Sequence, residues 1–242
     1  MTIRHAQVRP DARMRWVELP GADPARVYVH GLGSSSPAYF AGTATHPAAE
    51  RRCSLLVDLL GYGISDRPAD FSYTLADQAG MLAAALDAAG VRAAEVVAHS
   101  MGGSVAVLLA AHRPGLVSRL VAVEANLDPA PRPRLDGWDE SSFAAEGFAR
   151  TLTAVGEEWA ATMRLADPVA VYRSERSLGA ADLRGTIAAL PMPTVYVQGA
   201  RSGPLAGAAA LAEAGVEVRV VADAGHNVML DNPDGFAAAL AW

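Results

Sequence analysis

The chain has 242 residues and no lysine: all 20 of its basic residues are arginine. With so much alanine beside it, this reads as a high-GC codon bias rather than an adaptation to a partner. There is one cysteine, Cys53, which excludes an internal disulfide and fits a reducing compartment. No apolar run reaches membrane-spanning length before an Arg, Asp or Gly interrupts it. The segment Met1–Pro10 carries charge without an apolar stretch, so no signal peptide is expected. Excess positive charge is also missing; the net charge of −6 argues against a nucleic-acid or anionic-membrane partner. With 51% apolar and 19% charged residues, the composition is that of a globular chain long enough to bury a real core. The expectation is one cytoplasmic domain with a small-molecule partner.

What the chain does contain is a series of short apolar runs alternating with helical periodicities. Arg13–Leu19 alternates, meets the turn Pro20-Gly21-Ala22-Asp23-Pro24, and is followed by Arg26–Val29; the two runs are expected to pair as a hairpin. Next comes the glycine–serine loop from His30 to Ser36. It lacks the third glycine of a dinucleotide fingerprint, and no acidic residue follows at a suitable strand end. Cys53–Val57, Val96–Ala98, Leu120–Val123, Thr194–Gln198 and Val216–Ala222 read as further strands. Thr74 with Asp77 resembles a capping box that opens a helix with the apolar stripe Leu75, Ala79, Leu82 and Leu86, stopped by Gly90. Helices are also expected over Ser104–Ala111, over Leu205–Ala214 and from near Pro233. Strands alternating with helices give an α/β fold: a mostly parallel central sheet with helices on both faces.

From Asn126 to about Thr186 that alternation stops. Pro129, Pro131 and Pro133 give a stiff start, and helical segments follow around Ser142–Val155, Glu157–Leu165 and Pro168–Ser174. The chain thus divides into a first core part, residues 1–125, an inserted helical cap, residues 126–186, and a second core part, residues 187–242. Much of the aromatic content lies in the insert, and Trp138, Phe143 and Trp159 are candidates to reach a substrate pocket.

Between the strand Val96–Ala98 and the helix Ser104–Ala111 there is room only for His99-Ser100-Met101-Gly102-Gly103. A chain that changes from strand to helix so quickly turns sharply, and Ser100 at the apex stands beside the first free N–H groups of the helix. A nucleophilic hydroxyl is useful there; a serine ahead of a helix also makes an ordinary N-cap. Function in an open parallel sheet gathers at the carboxyl ends of the strands, where this chain places Gly31-Leu32, Ser100, Glu124, Arg201 and His226. A serine nucleophile needs a base, and the base needs a carboxylate to fix its tautomer. Ser100, His226 and Glu124 supply the three roles. His99 is expected to point away from the nucleophile and pack, His30 to scaffold its loop, and Asp58 and Asp66 to tie loops together. His5, His46 and His112 have no partners at metal spacing.

These motifs together resemble the α/β-hydrolase fold over essentially the whole chain. His30-Gly31-Leu32 matches the oxyanion loop, and Asp58 to Pro68 is similar to the D-x-x-G-x-G-x-S-x-x-P segment of that family. Ala98-His99-Ser100-Met101-Gly102 matches the nucleophile elbow with Ala in place of the leading glycine, and Gly225-His226-Asn227 matches the loop of the catalytic histidine. The sequence departs from the family after the strand ending at Gln198, where Gly199-Ala200-Arg201-Ser202-Gly203 contains no carboxylate. An acid after the preceding strand resembles the variant seen in part of the haloalkane dehalogenase branch. That selects Glu124, with Asp128 and Asp223 in reserve; pairing of Glu124 with Arg201 is the structural alternative. Unlike the nucleophile of that branch, the residue here is Ser rather than Asp, and Met101 stands where a halide-holding Trp would be.

The resemblance implies a serine hydrolase acting on a carboxylic ester or thioester, with the backbone N–H groups of Leu32 and Met101 as the oxyanion hole and without metal or organic cofactor; an insert rich in aromatic and aliphatic groups suggests a small to medium apolar substrate. A C–C bond hydrolase, lactonase or lyase would use the same triad, and a ligand-binding member would keep the pocket without turnover.

Overall fold

The computed structural model describes residues 1–241. Its strands are β1 (Thr2–Arg9), β2 (Ala12–Leu19), β3 (Ala22–Val29), β4 (Arg52–Asp58), β5 (Ala94–His99), β6 (Val117–Val123), β7 (Thr194–Gly199) and β8 (Glu217–Val221). They form an eight-stranded sheet in the order β1-β2-β4-β3-β5-β6-β7-β8. β2 runs antiparallel to both β1 and β4; all other neighbours are parallel.

The helices are α1 (Ser36–Ala44), α2 (Leu75–Ala88), α3 (Met101–His112), α4 (Glu140–Ser142), α5 (Phe148–Ala154), α6 (Glu157–Met163), α7 (Pro168–Gly179), α8 (Arg184–Ala188), α9 (Ala208–Glu213), α10 (Val228–Asp231) and α11 (Pro233–Ala239). The strand-free stretch between β6 and β7 carries α4–α8, and α8 extends beyond residue 186. None of the helices among the described residues is long and apolar enough to cross a membrane.

The period of two along the central strands assigns their side chains to opposite faces. Val27, Val29, Val96, Ala98, Leu120 and Ala122 face one core with α2 and α3, whereas Tyr28, Val97, Val121, Val123, Val195 and Val197 face a second with α1, α10 and α11. Helix α3 is buried nearly all round, as its unbroken small and aliphatic sequence requires. At α2, Thr74 caps the helix by accepting the Asp77 N–H at 3.1 Å, and Leu75, Ala79, Leu82 and Leu86 form the buried stripe.

Two local expectations differ from the structure. The runs Arg13–Leu19 and Arg26–Val29 are not a hairpin: β2 pairs with β1 on one side and β4 on the other, and β3 lies between β4 and β5. The Pro20–Gly21 turn moves the chain over one strand position, and the hairpin partner is β1, an edge strand whose exposed residues leave no clear alternation. The glycine–serine loop also ends sooner than its composition suggests, because Ser36 begins α1.

Asp58, at the end of β4, explains why α1 starts there. It is fully buried and accepts hydrogen bonds from the Ser35 hydroxyl (3.1 Å), the Ser36 N–H (2.8 Å) and the Ile64 N–H (2.9 Å). One carboxylate thereby joins the loop after β3 to the loop after β4 and supplies negative charge at the start of α1. Asp66, more exposed, takes the Arg13 N–H and pairs with Arg15. Replacing Asp58 by Ala strands three donors, two of them buried, and is expected to cost about 3 kcal/mol in urea-induced unfolding. Asp66→Ala should cost about 1 kcal/mol or less, as exposed ion pairs do; equal losses for the two would contradict this division.

Candidate active site

Ser100 sits between β5 and α3 with φ 51° and ψ −119°, a backbone conformation that L side chains rarely adopt. Its N–H donates to the Val123 carbonyl at 2.8 Å and its carbonyl accepts the Ser104 N–H at 3.2 Å, so both sides of the turn are tied down. The Ser100 hydroxyl makes no cap bond to the helix backbone. That separates the two uses of a serine ahead of a helix: the hydroxyl is left for the cleft. The turn can be this tight because Gly102 has no side chain; a Cβ there would overlap the His30 carbonyl.

Glu124 occupies the equivalent position one strand over. It follows β6, has a positive φ like that of Ser100 (φ 49°), and its N–H donates to the Val197 carbonyl at 2.9 Å. Its side chain receives the Gly199 N–H at 2.8 Å on one oxygen and faces His226 Nδ1 at 3.4 Å with the other. Burial alone would raise the Glu124 carboxyl, but hydrogen bonds from His226, the Gly199 N–H and Ser202 outweigh it and hold the group below its ordinary value. The end of β7 has no space for an acid at its first position, because a Cβ on Gly199 would run into the backbone of Ala224 and Gly225. Arg201 does not take Glu124; it pairs with Asp231 at 2.9 Å. The reserve acids lie apart: Asp128 is held by Arg184 (Oδ1 to Nε 2.9 Å), and Asp223 is exposed with no hydrogen bond to His226 among the described residues.

His226 arrives on the loop after β8. Its Nε2 is 3.1 Å from the Ser100 hydroxyl, and the Glu124 carboxylate opposite fixes the proton on Nδ1, leaving Nε2 as the acceptor. Two further contacts hold the loop: Asp231 accepts the Gly225 N–H at 2.7 Å, and the His226 carbonyl lies 2.8 Å from His99 Nε2. A carbonyl can only accept, so His99 carries its proton on Nε2. Against the expectation that it turns away and packs, His99 lines the cavity beside Ser100, its ring lies 4.8 Å from that of His226, and its Nε2–H anchors the loop carrying His226. Its sequence position gives no sign of this, since the partner is 127 residues away.

The loop after β3 closes the other side. His30 is fully buried, donates from Nδ1 to the Gly31 carbonyl (2.7 Å) and accepts the Leu59 N–H on Nε2 (3.1 Å). From the insert, Trp159 Nε1 donates to the Leu32 carbonyl at 2.7 Å and the Thr162 hydroxyl to the Gly33 carbonyl at 3.0 Å. Within the described residues no acceptor takes the N–H of Leu32 or Met101. A cavity of about 410 Å³ opens beside Ser100, lined in part by Leu32, Tyr39, Asn126, Trp159, Leu178 and Asn227. Of the three aromatic candidates only Trp159 reaches it. Phe143 is wholly buried against Phe148 and Tyr172, and Trp138 packs on Gly147 beneath the Arg150 guanidinium; both join the core that α2 and α3 form on that face of the sheet. Asn126, whose Oδ1 is 3.5 Å from the Ser100 hydroxyl, and two arginines in the wall, Arg132 and Arg134, carry no motif that would single them out in the sequence.

Burial, reinforced by the neighbouring His226, pushes the His99 imidazole down to about 3. The unfolded chain therefore binds a proton that the folded protein refuses between about pH 6.5 and 3, so stability falls as pH falls through that window. His99→Gln keeps a donor without the titration. Between pH 7 and pH 5 the wild type should lose about 2 kcal/mol more unfolding free energy than the variant. Equal losses in urea unfolding would contradict a neutral buried His99.

Known proteins share the fold of the chain. Residues 27–181 match the family model described as the alpha/beta hydrolase fold. The chain is 28% identical over 239 residues to 2-hydroxymuconate semialdehyde hydrolase of Pseudomonas putida, covering 86% of this chain and 83% of that protein. Among solved structures it is similar in fold to the enol-lactonase of Burkholderia xenovorans LB400 (TM-score 0.80, 20% identity, 98% of both chains). A second is an esterase of Exiguobacterium antarcticum (TM-score 0.78, 19% identity, 98% of this chain and 97% of that one). With a parallel sheet that carries serine, acid and histidine in this order at its strand ends, and a family match over more than half its length, the chain belongs to the alpha/beta hydrolase fold family.

Proposed function

We propose that this hydrolase cleaves a carboxylic ester or thioester of a small to medium substrate through an acyl-enzyme on Ser100. The observation that carries the reading is the unbroken relay from the Ser100 hydroxyl to His226 Nε2 (3.1 Å) and from His226 Nδ1 to Glu124 (3.4 Å), at the mouth of a cavity. Relays of this kind commonly tighten when substrate binds.

In this mechanism Ser100 attacks the acyl carbon as its proton passes to His226 Nε2, and Glu124 steadies the imidazolium through Nδ1–H. The N–H groups of Leu32 and Met101 receive the oxyanion; one such donor typically lowers the barrier by about 3 kcal/mol. Collapse of the tetrahedral adduct expels the alcohol or thiol, which takes the proton back from His226. Water then enters, gives a proton to His226 and releases the acid, and Ser100 recovers its hydrogen. Displacement of an alkyl halide is disfavoured, because the nucleophile is Ser and Met101 offers no halide ligand.

A second reading keeps these residues and changes the bond: a C–C hydrolase, lactonase or lyase. It is favoured by the relative that acts as a 2-hydroxymuconate semialdehyde hydrolase and by the enol-lactonase with the same fold. A pocket that binds without turnover is the third, and a fluorophosphonate probe separates it: Ser100 should label in the folded protein, and absence of label would favour the binder.

A screen over p-nitrophenyl esters, lactones and C–C cleavage substrates decides among the bonds. Ser100→Ala should remove turnover of whichever substrate responds, and Glu124→Gln should lower kcat by about a thousandfold or more. Asp128→Asn and Asp223→Asn should stay near wild type. A mild effect at Glu124 with a severe one at either aspartate would move the acid, and an active Ser100→Ala protein would overturn the assignment.

A further inference from the structure

The cavity beside Ser100 holds charge for which an apolar acyl group has no use. Arg132 and Arg134 both contribute to its wall, whereas none of the described residues lining it is an Asp or Glu. The carboxylate nearest these arginines is Glu175 on α7, 1% exposed. It takes Arg134 Nε at 2.6 Å and stands 3.7 Å from Arg132 Nε, too far for a hydrogen bond. Two guanidinium groups thus share one carboxylate. The Arg132 side chain is 15% exposed, and its Nε and Nη2 are buried without an acceptor.

Arg134 is also held in place. Its guanidinium lies over the Trp159 ring, 5.0 Å from the centroid, and the same Trp159 hydrogen-bonds the Leu32 carbonyl of the oxyanion loop. The charge is therefore fixed relative to the reacting centre. Leaving a guanidinium half-buried without a full partner is costly, and in a chain of net charge −6 a second acid for the pair would not have been hard to supply. Glu175 Oε2, facing Arg132 Nε, has no hydrogen-bond partner either, so neither guanidinium is fully engaged by it, and planar, forked guanidinium groups in a cavity wall match a carboxylate.

We propose that the substrate is itself an anion: a carboxylate on it is held by Arg132 and Arg134 while its scissile carbonyl lies at Ser100. The class is a half-ester or related acyl derivative of a dicarboxylic acid, in place of the wholly apolar acyl group that the composition of the insert suggests. The assignment of the scissile carbonyl rests on the serine-hydrolase reading; the anion subsite does not.

The test compares p-nitrophenyl butyrate with the p-nitrophenyl monoester of glutaric acid. In the wild type the ratio of kcat/KM, anionic over neutral, should exceed about tenfold, the size of one modest charge-assisted contact. Arg132→Met and Arg134→Met should each bring that ratio down toward one, chiefly through KM for the anionic ester. Glu175→Gln, which frees both guanidinium groups, should raise it. If the pair only ties the segment after β6 to α7, both esters will lose rate together and the ratio will not move, which overturns the proposal. Should the arginine variants fail to fold, the Glu175→Gln ratio decides: an unchanged ratio counts against the subsite. If the wild type hydrolyses neither ester, the ester reading fails by itself, and calorimetry with glutarate decides the subsite. Binding that is lost in Arg132→Met or Arg134→Met supports it, and no binding to the wild type overturns it.

Discussion

The register of three parallel strands is the constraint from which the rest of the site follows. His99 of β5 pairs with Val123 of β6, and Val123 pairs with Val197 of β7. Each strand end is then stitched to the next: the Ser100 N–H to the Val123 carbonyl, the Glu124 N–H to the Val197 carbonyl, and the Gly199 N–H to the Glu124 side chain. A slip of one residue would turn every side chain to the opposite face. The valines and alanines that pack the two cores therefore also decide that serine and acid leave the sheet side by side. Both leave with a positive φ, an arrangement whose strain the buried strands beneath can hold.

His226 and the N–H of Leu32 reach this edge from loops, which need fixing of another kind. Hydrogen bonds from side chains do it. His99 and Asp231 hold the backbone around His226, His30 and Asp58 hold the loop after β3, and Trp159 reaches from the insert to the Leu32 carbonyl. The insert thus does more than cover the cavity. One of its tryptophans holds the oxyanion loop, lines the cavity and carries the Arg134 guanidinium. The loop after β3 and the arginine wall of the cavity are thus joined through a single side chain.

The sequence reads well where one local pattern determines the outcome. The buried runs of β5, β6 and β7 follow from length and β-branching, α2 from its cap and stripe, and Ser100 from the lack of space between strand and helix. Glu124 is selected at a strand end only with the help of the resemblance to a variant that carries its acid one strand earlier, since the next strand end offers no carboxylate; Gly199 shows why, being pressed against the backbone of the histidine loop. It reads poorly where a residue's meaning comes from a distant partner. β1 has too little alternation to announce that β2 is its mate. The bond from His99 spans 127 residues. Aromatic content alone could not separate Trp159, which reaches the cavity, from Trp138 and Phe143, which pack into the core shared with α2 and α3. Arg132 and Arg134 follow prolines in a stretch that reads as a stiff linker, and only the packing of α7 against it reveals a charged wall.

The central claim is that Ser100 becomes covalently acylated, and rapid-quench mass spectrometry during turnover of a p-nitrophenyl ester tests it directly. A burst of p-nitrophenol should appear, matched by an acyl mass increase on the peptide carrying Ser100, with neither in Ser100→Ala. Turnover without an adduct, or an adduct on another residue, would contradict it.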